Sequence, residues 1–338
     1  MKFAFSADWH LSAYSQDDVE KESGLSKTLF EIVNTLKYIV NYCLKNSIKT
    51  IVVGGDLLHG KSIIHAVAQG CLLDFFRSYN DIHFIVIDGN HDLSSKGKRV
   101  VSALKSIDKE PNVTRIEKYK KDGDILYVPY SIDMIDIIKN NSSKYLISHF
   151  GLSEGQLNSG ISIISDISIK DLQGKYEEVY LGHYHKPQEI IRNDIKLYYV
   201  GSPIQLDWGE KHEEKRFLVI DTDKRTVESI HTEGYTKYFS IPININNKDS
   251  VLQEIKKLKN EGHLVRLEKM DEVNLEDLSS DFNIIDRVDK DITNRGINNE
   301  MNDRDKLIRY LEIMKIPKDD HEKYLSVALN IKESCIEL

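Results

Sequence analysis

Two packed β-sheets flanked by helices, an α/β architecture, is the fold class expected of this 338-residue sequence. The first reason is alternation. Over residues 1–235, apolar runs of strand character take turns with stretches of helical spacing, as in an α/β layered domain. The second reason is how five of those runs end. Phe3–Phe5, Ile51–Val53, Phe84–Ile87, Tyr145–Ile147 and Val179–Leu181 lead into Asp8-Trp9-His10, Gly55-Asp56, Gly89-Asn90-His91-Asp92, His149 and Gly182-His183-Tyr184-His185. Strands that close on Gly, Asp, Asn or His present polar groups at the carboxyl edge of a sheet, where ligands bind.

After the first strand, residues 25–44 set Leu29, Ile32, Val33, Leu36, Ile39, Val40 and Leu44 at helical spacing. Strand Ile51–Val53 precedes a helical stretch over 63–78, and 82–87 is again strand. A further helix is expected around Val100–Ile107. Residues 113–130 are β-rich, with Tyr127-Val128-Pro129 closing a strand, and more strands are expected over 195–201, 216–221 and 227–231. Near Gly234 the character changes. Strand-like 238–245, helical 249–260, strand-like 263–269 and a last strand over 282–288 make a small α+β unit without a polar island of the metal type. Residues 291–302 are polar and fit a linker. Beyond them Leu307, Ile308, Leu311 and Met314 form an apolar stripe stopped by Pro317, and Asp319 can cap a second helix carrying Tyr324, Leu325, Ala328 and Ile331. Such a pair either packs on the parent domain or docks a partner helix or coiled coil. The expected domains are 1–235, 236–290, the linker 291–302 and the helical tail 303–338.

Composition sets outer limits. A net charge of −8 argues against a broad basic face for nucleic acid. It leaves a nuclease open, because bound divalent cations and a local groove can supply the positive field. No apolar run approaches the roughly 20 residues a membrane helix needs, and the N-terminus lacks an apolar signal segment. A cytoplasmic protein without membrane attachment is expected. Cys43, Cys71 and Cys335 lie far apart without CxxC spacing and read as reduced thiols.

Five of the twelve histidines, His10, His91, His149, His183 and His185, occupy the strand-end islands. Imidazole, carboxylate and an Asn carbonyl suit Mn²⁺, Fe²⁺, Co²⁺ or Zn²⁺, and the absence of thiolates argues against a structural zinc site. Asp8, Asp56 and Asn90 with at least four imidazoles are too many ligands for one ion. Two ions sharing a bridging carboxylate is the economical arrangement. Ions paired at about 3.5–4 Å clamp a phosphoryl group and lower the pKa of a bridging water. A leftover imidazole can meet the phosphate or protonate the leaving oxygen. The chemistry expected is hydrolysis of a phosphate ester.

These islands resemble the five signatures of the calcineurin-like metallophosphoesterases, over about residues 1–210. The resemblance implies a four-layer core, two packed mixed β-sheets flanked by helices, with a small α+β cap and a C-terminal helical pair. It implies that Asp8, His10, Asp56 and His185 hold one metal and that Asp56, Asn90, His149 and His183 hold the other, so Asp56 bridges. His91 would contact the scissile phosphate or act on the leaving group, with Asp92 orienting it. Gly55-Asp56-Leu57-Leu58-His59, and Gly201-Ser202-Pro203-Ile204-Gln205 with Gly209-Glu210, resemble the SbcD-type branch of DNA-repair nucleases in its compact tailed-phage form. That branch implies Mn²⁺, with Mg²⁺ as the alternative, and DNA as substrate. It implies 3′-to-5′ double-strand exonuclease and single-strand endonuclease activity, in recombination, repair and end processing. A homodimer through the helices near 63–76 and 100–107, and an SbcC-type ABC ATPase docked on the helical tail, follow from the same resemblance. Leu58 stands where the branch has Phe, and Asp88 where a small or apolar residue often precedes Gly-Asn-His. A phosphatase or small-molecule phosphodiesterase on the same core is the alternative.

Among the remaining residues, His59 is either a helix-start histidine bonded to backbone or a second phosphate-facing imidazole. Trp9 is expected to pack beneath the site, and Tyr184 to point away from His183 and His185. The Lys96-Gly97-Lys98-Arg99 cluster is either a solvated face or a contact to a nucleic-acid backbone.

Overall fold

Side-chain alternation decides the layering. In β1 (Lys2–Ser6), Phe3 and Phe5 enter one buried cluster and Ala4 another, as the period of two requires. β2 (Thr50–Val53) repeats the division, with Val52 on the Phe5 side and Ile51 and Val53 on the Ala4 side. The computed structural model describes residues 1–13, 19–60, 63–94, 100–156, 165–192, 194–275, 282–287, 303–314, 316–318 and 320–326.

The first sheet adds β3 (His83–Ile87), β4 (Val113–Ile116), β11 (Arg216–Asp221) and β12 (Thr226–His231), in the order β12-β11-β1-β2-β3-β4. Strands β1 to β4 are parallel, while β11 and β12 join antiparallel at the edge. Helices α1 (Lys27–Lys45) and α2 (Ala66–Arg77) cover its outer face. Leu29, Ile32, Leu36 and Ile39 of α1 pack there with Leu72, Phe75 and Phe76 of α2. Each such buried side chain contributes about 1.5–3 kcal/mol, so packing and not intrinsic propensity holds these helices.

The second sheet contains β5 (Lys120–Asp122), β6 (Ile125–Val128), β7 (Tyr145–His149), β8 (Glu178–Gly182), β9 (Gln188–Arg192) and β10 (Ile195–Tyr199), in the order β5-β6-β7-β8-β10-β9. Its centre, β6-β7-β8-β10, is parallel and both its edges are antiparallel. Short helices α3 (Met134–Asn140) and α4 (Ile169–Leu172) back it through Met134, Ile138, Ile169 and Leu172. Between the sheets lie Phe3, Phe5, Val52 and Ile87 from one side and Tyr127, Tyr145, Ile147, Tyr180 and Tyr198 from the other. Two mixed sheets flanked by helices therefore form the core, as expected. The helix expected around Val100–Ile107 is a 3₁₀ turn over Ala103–Lys109, capped by Ser102, whose hydroxyl accepts from Leu104 N at 3.1 Å.

The chain divides into two compact units, Met1–Ser240 with Lys257–Val265 and Ile241–Lys256 with Arg266–Leu338. Around the second lie β13 (Tyr238–Ile243), α5 (Lys248–Asn260), β14 (Leu264–Lys269) and β15 (Asn283–Asp286), with the sheet order β13-β14-β15. α6 (Asp303–Ile313) buries Leu311, and the helical residues 320–326 that follow bury Leu325. Arg304 and Glu322 pair between these segments. The linker expected over 291–302, the cap Asp319, and Ala328 and Ile331 lie outside the described residues. Cys43 and Cys71 are free thiols, and Cys335 is outside the described residues. Among the described residues, no helix is long and apolar enough to cross a membrane.

Candidate metal centre

All five polar islands follow parallel strands, and their loops meet at one end of the sandwich. Asp8 N donates to Gly55 O at 3.0 Å and His10 N to Asp56 O at 2.9 Å, lacing the loop after β1 to the loop after β2. His149 ends β7 and its Nδ1 donates to Gly54 O at 2.8 Å. The backbone N–H of His183, after β8, donates to both carboxylate oxygens of Asp8 at 2.9 and 3.1 Å. Four of these residues have left-handed backbone: Asp8 (φ 55°), His10 (49°), Asp56 (54°) and His183 (97°). Such conformations cost about 1–3 kcal/mol each and persist where surrounding structure imposes them, often at functional sites. Gly89 answers a different need. A β-carbon there would lie 2.2 Å from Asp56 Oδ1.

The donor atoms fall into three groups, of which two share Asp8 and the third joins His10, His59 and His91. Asp8, His10 and His185 each offer a ligand atom within 4.8 Å of the others, and so do Asp8, Asp56 and His149. His10 Nε2 and His185 Nε2 are 2.9 Å apart. Asp56 Oδ2 lies 3.6 Å from His10 Nε2 and 3.3 Å from His149 Nε2. Asn90 Oδ1 is 3.0 Å from both His149 Nε2 and His183 Nδ1. Hence His10 and His185 gather on one side of Asp56 and Asn90, His149 and His183 on the other, with Asp8 within reach of both His185 and His149.

His149 Nδ1 faces a carbonyl, which can only accept, so Nδ1 carries a proton and neutral His149 has its lone pair on Nε2. That lone pair faces the oxygens of Asp56 and Asn90. His185 Nδ1 donates to Glu210 Oε1 at 2.7 Å, which directs its Nε2 lone pair toward His10 Nε2. Acceptors converging on acceptors need a proton or a cation between them. Two nitrogens about 2.1 Å from one ion at a right angle stand about 3 Å apart, close to the separation found. The donor set fits a pair of divalent ions.

Electrostatics point the same way. Burial raises the Asp8 carboxyl above its usual range, against the pull of His149 and His185. Burial would also raise Asp56, but His149, then His10, outweigh it and hold that carboxyl well below the usual range. Burial alone would depress His149, yet Asp56 beside it lifts the imidazole to about 9. Burial depresses His10 well below its ordinary value and His183 to about 3. Neutral imidazoles are the ligating form, and a cation can take the place of the proton Asp56 favours on His149.

His91 stands beside this centre. Its backbone N–H donates to Asp56 Oδ1 at 2.7 Å, and its Nδ1 donates to the carbonyl of His59 at 2.7 Å. The His59 ring stacks on His91 with centroids 5.4 Å apart, and its Nδ1 lies 3.3 Å from His10 Nδ1. His59 thus faces the centre. Asp92, expected to orient the His91 side chain, is fully buried and accepts instead from Leu58 N at 3.0 Å and Gly89 N at 2.9 Å. The group on His91 Nδ1 is the His59 carbonyl, so Asp92 acts on the two loops that carry Asp56 and Asn90.

Asp88, the unusual carboxylate before Gly-Asn-His, is paired with buried Arg115 at 3.0 Å and accepts from Ser102 Oγ at 3.0 Å. Trp9 is buried against Phe75 and Phe76. Tyr184 donates its hydroxyl to Leu152 O and packs against Tyr199, but its ring also lies 5.3 Å from that of His183, so it does not turn wholly away from the two histidines as expected. Lys96 to Arg99 lie outside the described residues. Sequence reasoning gave no role to Glu210 or Lys215. The signal was a Gly-Glu pair shortly after the Gly-Ser-Pro turn, and only the folded loop shows that it returns to His185.

Exonuclease subunit 1 of Enterobacteria phage T4 is 25% identical over 244 residues, which span 68% of this chain and 67% of the relative. Among solved structures, a dimetal phosphatase from Danio rerio aligns with 69% of this chain and 99% of its own, at 9% identity and a TM-score of 0.43. The Pseudomonas putida nuclease MPE aligns over 68% and 87%, at 11% identity and a TM-score of 0.33. The sequence pattern of the calcineurin-like phosphoesterases matches residues 1–201, well over half the chain and all five islands. The chain belongs to the calcineurin-like phosphoesterase family of metal-dependent phosphoesterases.

Proposed function

We propose that this protein is the nuclease subunit of a DNA-processing complex, hydrolysing phosphodiesters with two divalent ions, Mn²⁺ by preference. The observation that carries the chemistry is the pair of donor groups sharing Asp8, with one Asp56 oxygen facing both His10 and His149 and His91 anchored beside them. The choice of DNA over a small ester rests on the relative in phage T4, an exonuclease subunit whose similarity spans about two thirds of both chains. In this reading Asp8, His10, Asp56 and His185 hold one ion, and Asp56, Asn90, His149 and His183 hold the other. Such ions, when bound, polarise a phosphoryl oxygen and lower the pKa of a coordinated water.

The protein's own groups do the rest. Asp56 holds the two sites in register. The His59 carbonyl fixes the proton of His91 on Nδ1, so Nε2 is the atom presented to substrate. A protonated Nε2 can stabilise developing charge or deliver its proton to the leaving oxygen, a contribution of about 10²–10⁴-fold. His59, stacked on His91, flanks the phosphate. The word subunit in the relative's name supports a partner, for which we propose an SbcC-type ATPase docked on the tail that begins with α6. Exposed Val67 on α2, with Ile63 and Ile64 before it, supports a homodimer through that face.

The test is cleavage of linear double-stranded and single-stranded DNA by the purified protein, with Mn²⁺ or Mg²⁺ and with its ATPase present. Metal-dependent degradation of DNA is expected. Hydrolysis of a small phosphodiester reporter with DNA left intact would overturn the nuclease reading and leave the phosphatase alternative.

A further inference from the structure

Behind His185 lies a buried network of charges. Glu210 is 1% exposed and Lys215 is 0% exposed. Glu210 Oε1 accepts from His185 Nδ1 at 2.7 Å. Its Oε2 accepts from Lys215 Nζ at 2.7 Å, Ser202 Oγ at 3.0 Å and Leu206 N at 3.1 Å. Lys215 Nζ also donates to the backbone carbonyl of His185 at 2.9 Å and to Glu213 Oε2 at 2.7 Å. The two residues therefore grip His185 from both ends, Glu210 on the ring and Lys215 on the main chain.

Buried ion pairs give little net stability, because desolvation cancels most of the attraction. A hydrophobic pair would fill the same volume at no greater cost. What it could not supply is a fixed acceptor opposite Nδ1. A carboxylate paired with an ammonium stays ionised and can only accept, so the His185 proton stays on Nδ1 and the Nε2 lone pair points at His10 Nε2 and toward Asp8. Groups of this kind behind a metal-ligating histidine set ring orientation and ligand basicity.

We propose that Glu210, held by Lys215, is the positioning residue for His185 and selectively sets the affinity of the ion site built from Asp8, His10 and His185. The inference rests on the two-ion reading above. The competing role is structural: Ser202, Leu206 and Lys215 would tether the loop after β10 whether or not His185 held an ion.

The experiment titrates Mn²⁺ into the full chain by calorimetry, with free ion followed by electron paramagnetic resonance, for wild type, E210Q, E210A and S202A. E210Q keeps the shape and gives up the obligatory acceptor. S202A removes one tether to the carboxylate and leaves the His185 bond in place. We expect one of two Mn²⁺ ions to lose about 10–100-fold in affinity in E210Q and E210A, the other to be unchanged, and S202A to bind both as wild type does. If E210A does not fold, E210Q decides, since Lys215 still pairs with Glu213. Wild-type affinity for both ions in E210Q overturns this inference alone, as does an equal loss in S202A. A wild-type protein that takes up fewer than two ions overturns the two-ion reading itself.

Discussion

Gly89→Ala isolates the shared carboxylate with a single methyl group. The new β-carbon would sit 2.2 Å from Asp56 Oδ1, 2.4 Å from Asp56 N and 2.9 Å from Asp56 Cγ. Real β-carbons are essentially never found under 3.0 Å, so Oδ1 must retreat by about 0.8 Å if Asp56 alone gives way. Metal sites tolerate about 0.2 Å, and a misplacement of about 1 Å in a catalytic constellation costs about a hundredfold in rate. Asp56 Oδ1 also receives the backbone N–H of His91 at 2.7 Å, so the same push moves His91. The expected outcome is a fall of about a hundredfold or more in kcat/KM for Mn²⁺-dependent phosphodiester hydrolysis. Both ions should weaken together, at a stability cost of about 1–3 kcal/mol from overpacking. Steady-state kinetics, calorimetric Mn²⁺ titration and chemical denaturation read the three quantities. Gly70→Ala is the control: its β-carbon meets nothing within 4 Å inside α2, and it should stabilise by about 0.5–1 kcal/mol. A Gly89→Ala protein with wild-type affinity for both ions would refute the placement of Asp56 between them.

Three further outcomes are expected. His91→Asn should lower single-turnover hydrolysis by about 10²–10⁴-fold while two Mn²⁺ still bind; near-normal turnover would remove His91 from the chemistry. Burial, outweighing Arg115, raises Asp88 from 3.8 to about 6, so the folded state holds a proton there that the unfolded chain has released. Wild type should therefore lose about 3 kcal/mol relative to Asp88→Asn as pH climbs from 3.8 through about 6; denaturation curves that keep a constant separation across that window would count against it. Free Mn²⁺ at a hundred times its dissociation constant should stabilise the fold by about 2.7 kcal/mol per site. A thermal melt insensitive to Mn²⁺ and to chelator would show that the ions do not bind the folded chain.

Much of the site was legible because each inferred ligand lies within a few residues of a strong apolar strand. Phe3 to Phe5, Ile51 to Val53 and Tyr145 to Ile147 announce buried strands, and the polar residues just beyond them must lie at the sheet edge. Edge strands were harder. β5 is Lys-Lys-Asp and fully exposed, and β9 turns Gln188 and Ile190 inward but reads Gln-Glu-Ile-Ile-Arg, so neither carries in its sequence the apolar–polar alternation that marks a half-buried strand. Asp92 was read through its neighbour His91, whereas its partners, Leu58 N and Gly89 N, come from loop packing that no local pattern encodes. Glu210 and Lys215 are 25 and 30 residues beyond His185, and charged residues are ordinarily solvent-facing. Only the return of the loop after β10 makes them interior.

Each half of the centre draws on both sheets. The first sheet supplies Asp8, His10, Asp56 and Asn90, and the second supplies His149, His183 and His185. The Phe and Tyr layer between the sheets therefore sets a spacing that the ligands inherit. A slip of a few tenths of an ångström between the sheets would spoil both proposed ion sites without touching a single proposed ligand. Conservative exchanges deep in that layer, such as Ile147→Val or Phe5→Leu, should then register in ion affinity before they register in melting temperature. The centre works as a gauge of how faithfully two sheets are stacked.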